Sequence, residues 1–302
     1  MYPAAFDYSA PQTLEEALAT LAQLGVDGRV LAGGQSLIPM MKLRLATPGH
    51  LVDINGISDL AYIREADDHL AVGALARHAD LAASDLVSRT NATMASAAPW
   101  VSDPLVRNRG TLCGSVAHCD PEGDWNSVML AVGASVVARS AGGGERVIPQ
   151  ADFVVDFFTN ALEPGEMVTE VRVPKYPGPA GGAYLKLERK VGDYATVGVA
   201  THLVLDGGGR VAQAGLALTA VAGHNLKVAE AEQMMLGQQP GSELFAQAAD
   251  IAARACDPES DVRGPADYKR AVVAEYTRRG FAQALAQARS GQNGHGGSGA
   301  EA

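Results

Sequence analysis

Apolar positions change their period several times along the chain, and each change marks an element. Thr13 with Glu16 three positions later is a capping box, and Leu14, Ala17, Leu18 and Leu21 follow at helical spacing up to Gly25, which predicts a first helix. A short apolar run at Val30 and Leu31 breaks into Ala32-Gly33-Gly34-Gln35-Ser36. A second apolar stretch covers 37–45, and His50-Leu51-Val52-Asp53-Ile54 reads as a strand. This is a small α/β unit with its glycine-rich turn between a strand and a helix. Short strands are predicted at 60–64 and 70–74, then helices around 78–86 and 91–98. Beyond a second unusual segment (103–124) come a strand at 135–139, a Gly142-Gly143-Gly144 turn, and an alternating strand at 167–173 ended by Pro174. The run Tyr176-Pro177-Gly178-Pro179-Ala180-Gly181-Gly182 reads as a linker. Strands at 184–190, 195–205 and 212–219 follow, the last two joined at Gly207-Gly208-Gly209, and helices at 226–236, 243–256 and 266–289 complete the pattern. The Gly/Ser-rich tail 290–302 is expected to be disordered. Strand clusters with segregated helices indicate an α+β fold rather than a doubly wound sheet.

Composition narrows the function classes. At 302 residues the chain has room for two or three domains. No apolar run reaches the ~18 residues of a membrane span, and the first arginine is Arg29, so no secretory signal is expected. Cys113, Cys119 and Cys256 lack the paired spacing of a zinc or iron–sulfur site, and a cytoplasmic protein is expected. The net charge of −10 argues against a nucleic-acid partner. It is unevenly spread: residues 1–178 carry 12 Lys+Arg against 21 Asp+Glu, and residues 179–302 carry 12 against 13. An anionic ligand of the N-terminal half must then be held mostly by backbone N–H groups.

Two segments offer that chemistry. In Gly33-Gly34-Gln35-Ser36 the glycines let the backbone approach a ligand, and consecutive N–H groups form a nest for phosphate oxygens. A tight turn without a ligand reads the same way. The dinucleotide fingerprint G-x-G-x-x-G is absent, which disfavours an ordinary nicotinamide-binding Rossmann dehydrogenase. In Arg107-Asn108-Arg109-Gly110-Thr111-Leu112-Cys113-Gly114-Ser115, two glycines flank a hydroxyl residue and Ser115 adds another. Thr111 and Ser115 can donate to phosphate oxygens, and the downstream carboxylate of Asp124 suits sugar hydroxyls. Asp124 also reads as a helix N-cap. His118, Cys119 and Asp120 have no second cluster at ligand spacing, so no metal site is assigned.

The strings AGGQSLIPMMKLRLA (32–46) and RNRGTLCGSVAHCDP (107–121) closely resemble the two FAD signatures of the flavoprotein (medium) subunits of molybdenum hydroxylases. That family shares the FAD-binding fold of vanillyl-alcohol oxidase and p-cresol methylhydroxylase, and the likeness is nearest to its aerobic carbon monoxide dehydrogenase branch. It extends to FDY near the start, HLVDI at 50–54, LEPGE at 162–166 and KLERKVGDYATV at 186–197. The resemblance implies FAD-binding subdomains at 1–55 and 56–177. A C-terminal domain of a three-stranded antiparallel sheet with a helical bundle would occupy 178–289. It places FAD against Ala32, Gly33, Gly34, Gln35 and Ser36, and against Thr111, Leu112, Cys113, Gly114 and Ser115. Asp124 would meet the ribityl or ribose hydroxyls, and Lys186 and Tyr194 would approach the isoalloxazine. Members usually read T-I-G-G where this chain has Thr111-Leu112-Cys113-Gly114, so Cys113 carries a Cβ at a position where glycine is usual.

The implied activity is oxidoreductase electron transfer without a catalytic side chain on this polypeptide. A large subunit holds the molybdenum cofactor, a small subunit holds two [2Fe–2S] clusters, and the assembly is a dimer of heterotrimers, a heterohexamer. Electrons pass through the FAD subunit to an external acceptor such as NAD⁺, a quinone or oxygen. Carbon monoxide, aldehydes and N-heterocycles all remain open as substrates of the complex. Two other readings stay in play: a cofactor-free structural or assembly subunit, and a stand-alone FAD oxidase.

Overall fold

The computed structural model describes residues 2–295. Among the described residues the chain builds three larger sheets in succession, and a two-stranded ribbon pairs Val154–Asp156 with Thr159–Asn160. The first is parallel, with His50–Asp53 in the centre flanked by Asp7–Ser9 and Gly28–Leu31. The helix Leu14–Leu24 buries Ala17, Leu18 and Leu21, the stripe expected from the sequence. Its capping box is offset by one residue. Thr13 Oγ1 accepts from Glu16 N–H, but the Glu16 carboxylate returns to the N–H of Gln12 rather than to that of Thr13. Gly25 closes the helix at φ 55°, in the left-handed region glycine favours.

The second sheet is antiparallel, in the order Ile63–Glu65, His69–Gly73, Met167–Pro174, Ser135–Arg139, Glu145–Pro149. The expected strand at 60–64 starts late, because Leu60 lies in a short 3₁₀ turn with its side chain buried. The expected helix at 78–86 breaks at Ser84, whose side chain caps a new helix, Asp85–Thr90. Helices from this half pack beneath the sheet around Trp125, Met129 and Val116, all fully buried.

The third sheet pairs Ala180–Leu187, Val197–Leu205, Val211–Thr219 and Leu226–Lys227, all antiparallel. Four strands therefore stand where three were expected. The predicted helix 226–236 gives its first residues to this edge, since Leu226 pairs with Leu218 and Lys227 with Ala217, and the helix begins only at Ala229. The expected linker also shortens, as Ala180 already belongs to the sheet. The helix Ser242–Ala255 turns Leu244, Phe245, Ala248, Ile251 and Ala252 inward. Phe245 stacks on Phe281 at 5.6 Å. Each large side chain buried here contributes roughly 1.5–3 kcal/mol. The last helix runs Ala266–His295, so residues 290–295 of the expected tail are helical. Residues 296–302 of that tail lie outside the described residues. The architecture is α+β, with no closed barrel among the described residues.

Candidate functional site

The two glycine turns meet. A Cβ built on Gly33 would lie 2.5 Å from the carbonyl oxygen of Arg109 and 2.6 Å from the Cα of Gly110. Glycine is therefore required at 33 for backbone to pass backbone. Beside this crossing lies a cleft of about 820 Å³, at the upper end of small-molecule and cofactor pockets. Of the residues singled out in the sequence, Ala32, Gly33, Gly34, Gln35, Ser36, Thr111, Cys113, Gly114, Ser115, Asp124, Lys186 and Tyr194 all line it. Leu112 does not. It is the first residue of the helix Leu112–His118, and its side chain is fully buried in the core.

The first turn joins the strand Gly28–Leu31 to the helix Leu37–Lys42, with Gly34 at φ 72°. Among the described residues, no group accepts from the N–H of Gly33, Gly34, Gln35 or Ser36. Four successive backbone donors at the cleft wall are thus unclaimed, an arrangement suited to anionic oxygens.

The second turn is organised differently. Thr111 caps its helix, with Oγ1 accepting from Gly114 N–H at 3.1 Å, and the Ser115 N–H donates to the Thr111 carbonyl. Cys113 has ordinary negative φ inside the first helical turn. Its thiol is buried and donates to the Val72 carbonyl, and burial pushes its pKa well up, so it is an inert packing group. The Cβ that replaces the usual glycine is therefore accommodated without a left-handed backbone.

Asp124 opens the helix Asp124–Ala131, but Gly123 occupies the cap position and the Asp124 side chain makes no capping bond. It turns instead into a buried cluster. Oδ1 accepts from Tyr184 Oη at 2.6 Å and Oδ2 lies 3.0 Å from Lys186 Nζ. The Lys186 ammonium also donates to the Trp100 carbonyl and lies 3.6 Å from Glu188. Burial pushes the Asp124 carboxyl up, against the pull of Lys186 and Tyr184. Tyr194 stands about half exposed at the rim, its pKa pushed up to about 12 by partial burial and the carboxylates of Asp120 and Glu122.

Sequence reasoning passed over several wall residues. The segment Leu162–Val168 lines the cleft and turns at Gly165, φ 84°; its LEPGE string marked the family but was not placed at the site. His78 lies beneath the second turn. Its Nδ1 accepts from Trp125 Nε1 at 3.0 Å, and its N–H donates to the Gly110 carbonyl. Because an indole nitrogen only donates, the proton of neutral His78 sits on Nε2. Burial, aided by Arg107 and Arg77, pushes its pKa down to about 4.

Among the described residues no helix is long and apolar enough to cross a membrane. Residues 4–176 match the family described as the FAD binding domain in molybdopterin dehydrogenase. Residues 182–284 match the CO dehydrogenase flavoprotein C-terminal domain. The carbon monoxide dehydrogenase medium chain of Hydrogenophaga pseudoflava is 40% identical over 287 residues, covering 95% of this chain and 99% of that relative. Subunit alpha of the 6-hydroxypseudooxynicotine dehydrogenase complex of Paenarthrobacter nicotinovorans is 38% identical over 289 residues, covering 96% and 97%. A solved structure of carbon monoxide dehydrogenase from Hydrogenophaga pseudoflava, lacking the Mo-pyranopterin moiety of its cofactor, superposes with a TM-score of 0.90 at 42% identity. It covers 95% of this chain and 99% of its own. The chain belongs to the FAD-binding flavoprotein subunits of the molybdopterin dehydrogenases, oxidoreductases whose CO dehydrogenase-type C-terminal domain it also carries.

Proposed function

We propose that this chain is the electron-exit subunit of a molybdenum hydroxylase, taking electrons from the [2Fe–2S] clusters of a small subunit and passing them to an external acceptor. It would do so in a dimer of heterotrimers, with the molybdenum cofactor in a large subunit, in the cytoplasm. One observation carries the reading: two glycine turns converge on one cleft, and the first offers it a row of unclaimed amides. The residues present fit a dinucleotide diphosphate. The cleft wall includes the carboxylates of Glu122, Asp124, Glu163, Glu166 and Asp193, against the cations Arg29 and Lys186, and Lys186 is already committed to Asp124. Negative charge on a ligand must therefore be met largely by main-chain donors, each such bond worth roughly 1.5–3 kcal/mol.

In this reading Gly33, Gly34, Gln35 and Ser36 hold the diphosphate, while Gly114 and Ser115 close the opposite wall. Asp124 has lone pairs beyond those used by Tyr184 and Lys186 and accepts from sugar hydroxyls. Lys186, whose Nζ is fixed by Asp124 and the Trp100 carbonyl, would stand beside the isoalloxazine, and Tyr194 would cover one of its faces. When bound, FAD supplies the two-electron store that a one-electron donor can fill and a two-electron acceptor can empty. The same reading assigns 1–55 and 56–177 as the FAD-binding subdomains and 178–289 as the C-terminal domain. Cys113, which stands where the family pattern has glycine in the second turn and so is the sequence feature that would favour a cofactor-free subunit, sits unstrained in its helix.

The test is purification of the native complex. Stoichiometric FAD released on denaturation, together with co-purifying molybdenum and iron–sulfur subunits, is the expected result. A colourless chain without FAD overturns the reading. A flavin-loaded chain that purifies alone and oxidises a substrate by itself favours a stand-alone oxidase instead.

A further inference from the structure

We propose that Asn55 and Arg77 are positioning residues that clamp the two glycine turns at a fixed separation, so that grip on a dinucleotide diphosphate depends on their side chains; this rests on the FAD reading above. Tyr8 Oη donates to Asp53 Oδ2 at 2.7 Å. Asp53 Oδ1 accepts from Asn55 N–H at 2.9 Å and Nδ2 at 2.6 Å. Asn55 Nδ2 also donates to the Ala32 carbonyl at 2.8 Å. On its other side, Asn55 Oδ1 accepts from Arg77 Nη2 at 2.7 Å, and Arg77 Nη1 donates to the Arg109 carbonyl at 2.5 Å. One end of the chain holds the residue before Gly33 and the other holds the residue before Gly110.

Two features make this more than local packing. The gripped carbonyls sit where the turns cross, since the missing Cβ of Gly33 points at the Arg109 oxygen. In a planar trans peptide, moreover, C=O and N–H point in opposite directions. Holding the Ala32 carbonyl toward Asn55 therefore turns the Gly33 N–H, first of the unclaimed donors, away from it. The clamp sets both the distance between the turns and the direction of that donor. Arg suits the task because its planar fork reaches two acceptors at once, whereas an ammonium is a single point.

The turns do not need the clamp in order to fold. The second is tied to its neighbour by main chain, His78 N–H to the Gly110 carbonyl at 3.0 Å and Leu112 N–H to that of Ala76 at 3.4 Å. The first hangs on the parallel ladder between Gly28–Leu31 and His50–Asp53.

The experiment compares Arg77→Ala, Arg77→Lys and Asn55→Ala in the full chain with its partner subunits, measuring the FAD dissociation constant by flavin fluorescence. The FAD-free melting temperature is followed in parallel. Roughly thirtyfold weaker FAD binding is expected for each variant, with the FAD-free melting temperature shifted by no more than about 2 °C. Lysine should do no better than alanine, and added guanidinium should restore affinity to Arg77→Ala but not to Asn55→Ala. Wild-type affinity in Arg77→Lys, wild-type affinity in both alanine variants, or a fall in melting temperature large enough to explain the lost FAD would each overturn the clamp. A wild-type protein that binds no FAD overturns the underlying functional reading instead.

Discussion

The two glycine turns look alike in sequence, each pairing glycine with a small hydroxyl residue ahead of an apolar run, yet they are built for different work. The first spends none of its amides on itself: the N–H groups from Gly33 to Ser36 have no acceptor among the described residues. The second is internally satisfied. Thr111 takes the N–H groups of Gly114 and Ser115, Ala76 takes that of Leu112, and Leu112 and Cys113 point into the core. One turn is a row of donors and the other a braced wall. A glycine motif thus says that backbone comes close to something, and hydrogen-bond accounting decides whether that something is a ligand or another part of the chain.

The largest effect that separates the turns should come from their glycines. Valine at position 33 would drive a branched side chain into the Arg109 carbonyl and Gly110 Cα, both main-chain atoms that cannot rotate aside. The turns must part, and FAD affinity should fall at least about a hundredfold, measured as FAD released from purified protein. At Gly114 the added Cβ meets only Thr111 Oγ1, at 2.7 Å. Gly114→Val should disturb that cap and weaken FAD roughly tenfold. Equal losses in the two variants would show that the turns share one role.

Next in size is a pH effect that reaches the second turn through His78. The unfolded chain protonates His78 near 6.5, whereas the folded chain keeps it neutral down to about 4. Its contribution to stability is complete above pH 6.5, is lost as pH falls from 6.5 toward 4, and levels off below, totalling up to ~3 kcal/mol. His202, buried beside Tyr176 and also pushed down to about 4, adds a slope of the same sign from the strand Val197–Leu205 of the third sheet. Urea midpoints at pH 7.5 and 4.5 should therefore differ less in His78→Gln, which still offers Trp125 an acceptor, than in wild type. In His202→Gln the slope should also flatten, but acid release of FAD should remain as in wild type, because His202 lies away from the cleft that His78 lines. An unaltered pH slope in His78→Gln would remove histidine from the account of the second turn.

A smaller change tests the brace itself. Thr111→Ala removes the helix cap that accepts from the part-buried Gly114 N–H, so stability should drop by about 1 kcal/mol in thermal or urea melts. FAD affinity should fall only a few-fold. A loss matching that of Gly33→Val would mean that the Thr111 hydroxyl contacts the ligand directly.

How far the sequence could anticipate all this depended on whether the deciding contacts were local. Thr13, Glu16 and Gly25 name a helix from short-range chemistry alone, and that helix stands where expected. Glu145–Pro149 was invisible because it is an exposed edge strand with Arg146 and Val147 facing solvent and no apolar alternation to read. Leu226 and Lys227 looked helical but were claimed by the free edge of Val211–Thr219, a contact no local pattern encodes. At the site, twelve of the thirteen residues singled out reach one cleft, since glycine turns and their flanking hydroxyls are conspicuous. Asn55 and Arg77 were missed. Their partners lie 22 to 32 positions away, and neither residue type at those places is unusual by itself.

The smallest predicted effect bears most directly on what the first turn offers a ligand. Lys42 is exposed at the end of the helix Leu37–Lys42, and Arg44 follows it at φ 58°. A site that held phosphate by opposite charge would be expected to enlist such neighbours, with binding that weakens steeply as salt rises. A site built from fixed amides has no such need: its donors are neutral, they are positioned before the ligand arrives, and the surrounding carboxylates would compete with phosphate for any mobile cation. Lys42→Ala should accordingly change the FAD dissociation constant by less than about twofold, within what surface substitutions usually cause. The measurement is flavin fluorescence at low and at physiological salt, and both should give that answer. A tenfold loss at low salt that vanishes at high salt would show that side-chain charge, and not the row of amides, distinguishes the first turn from the second.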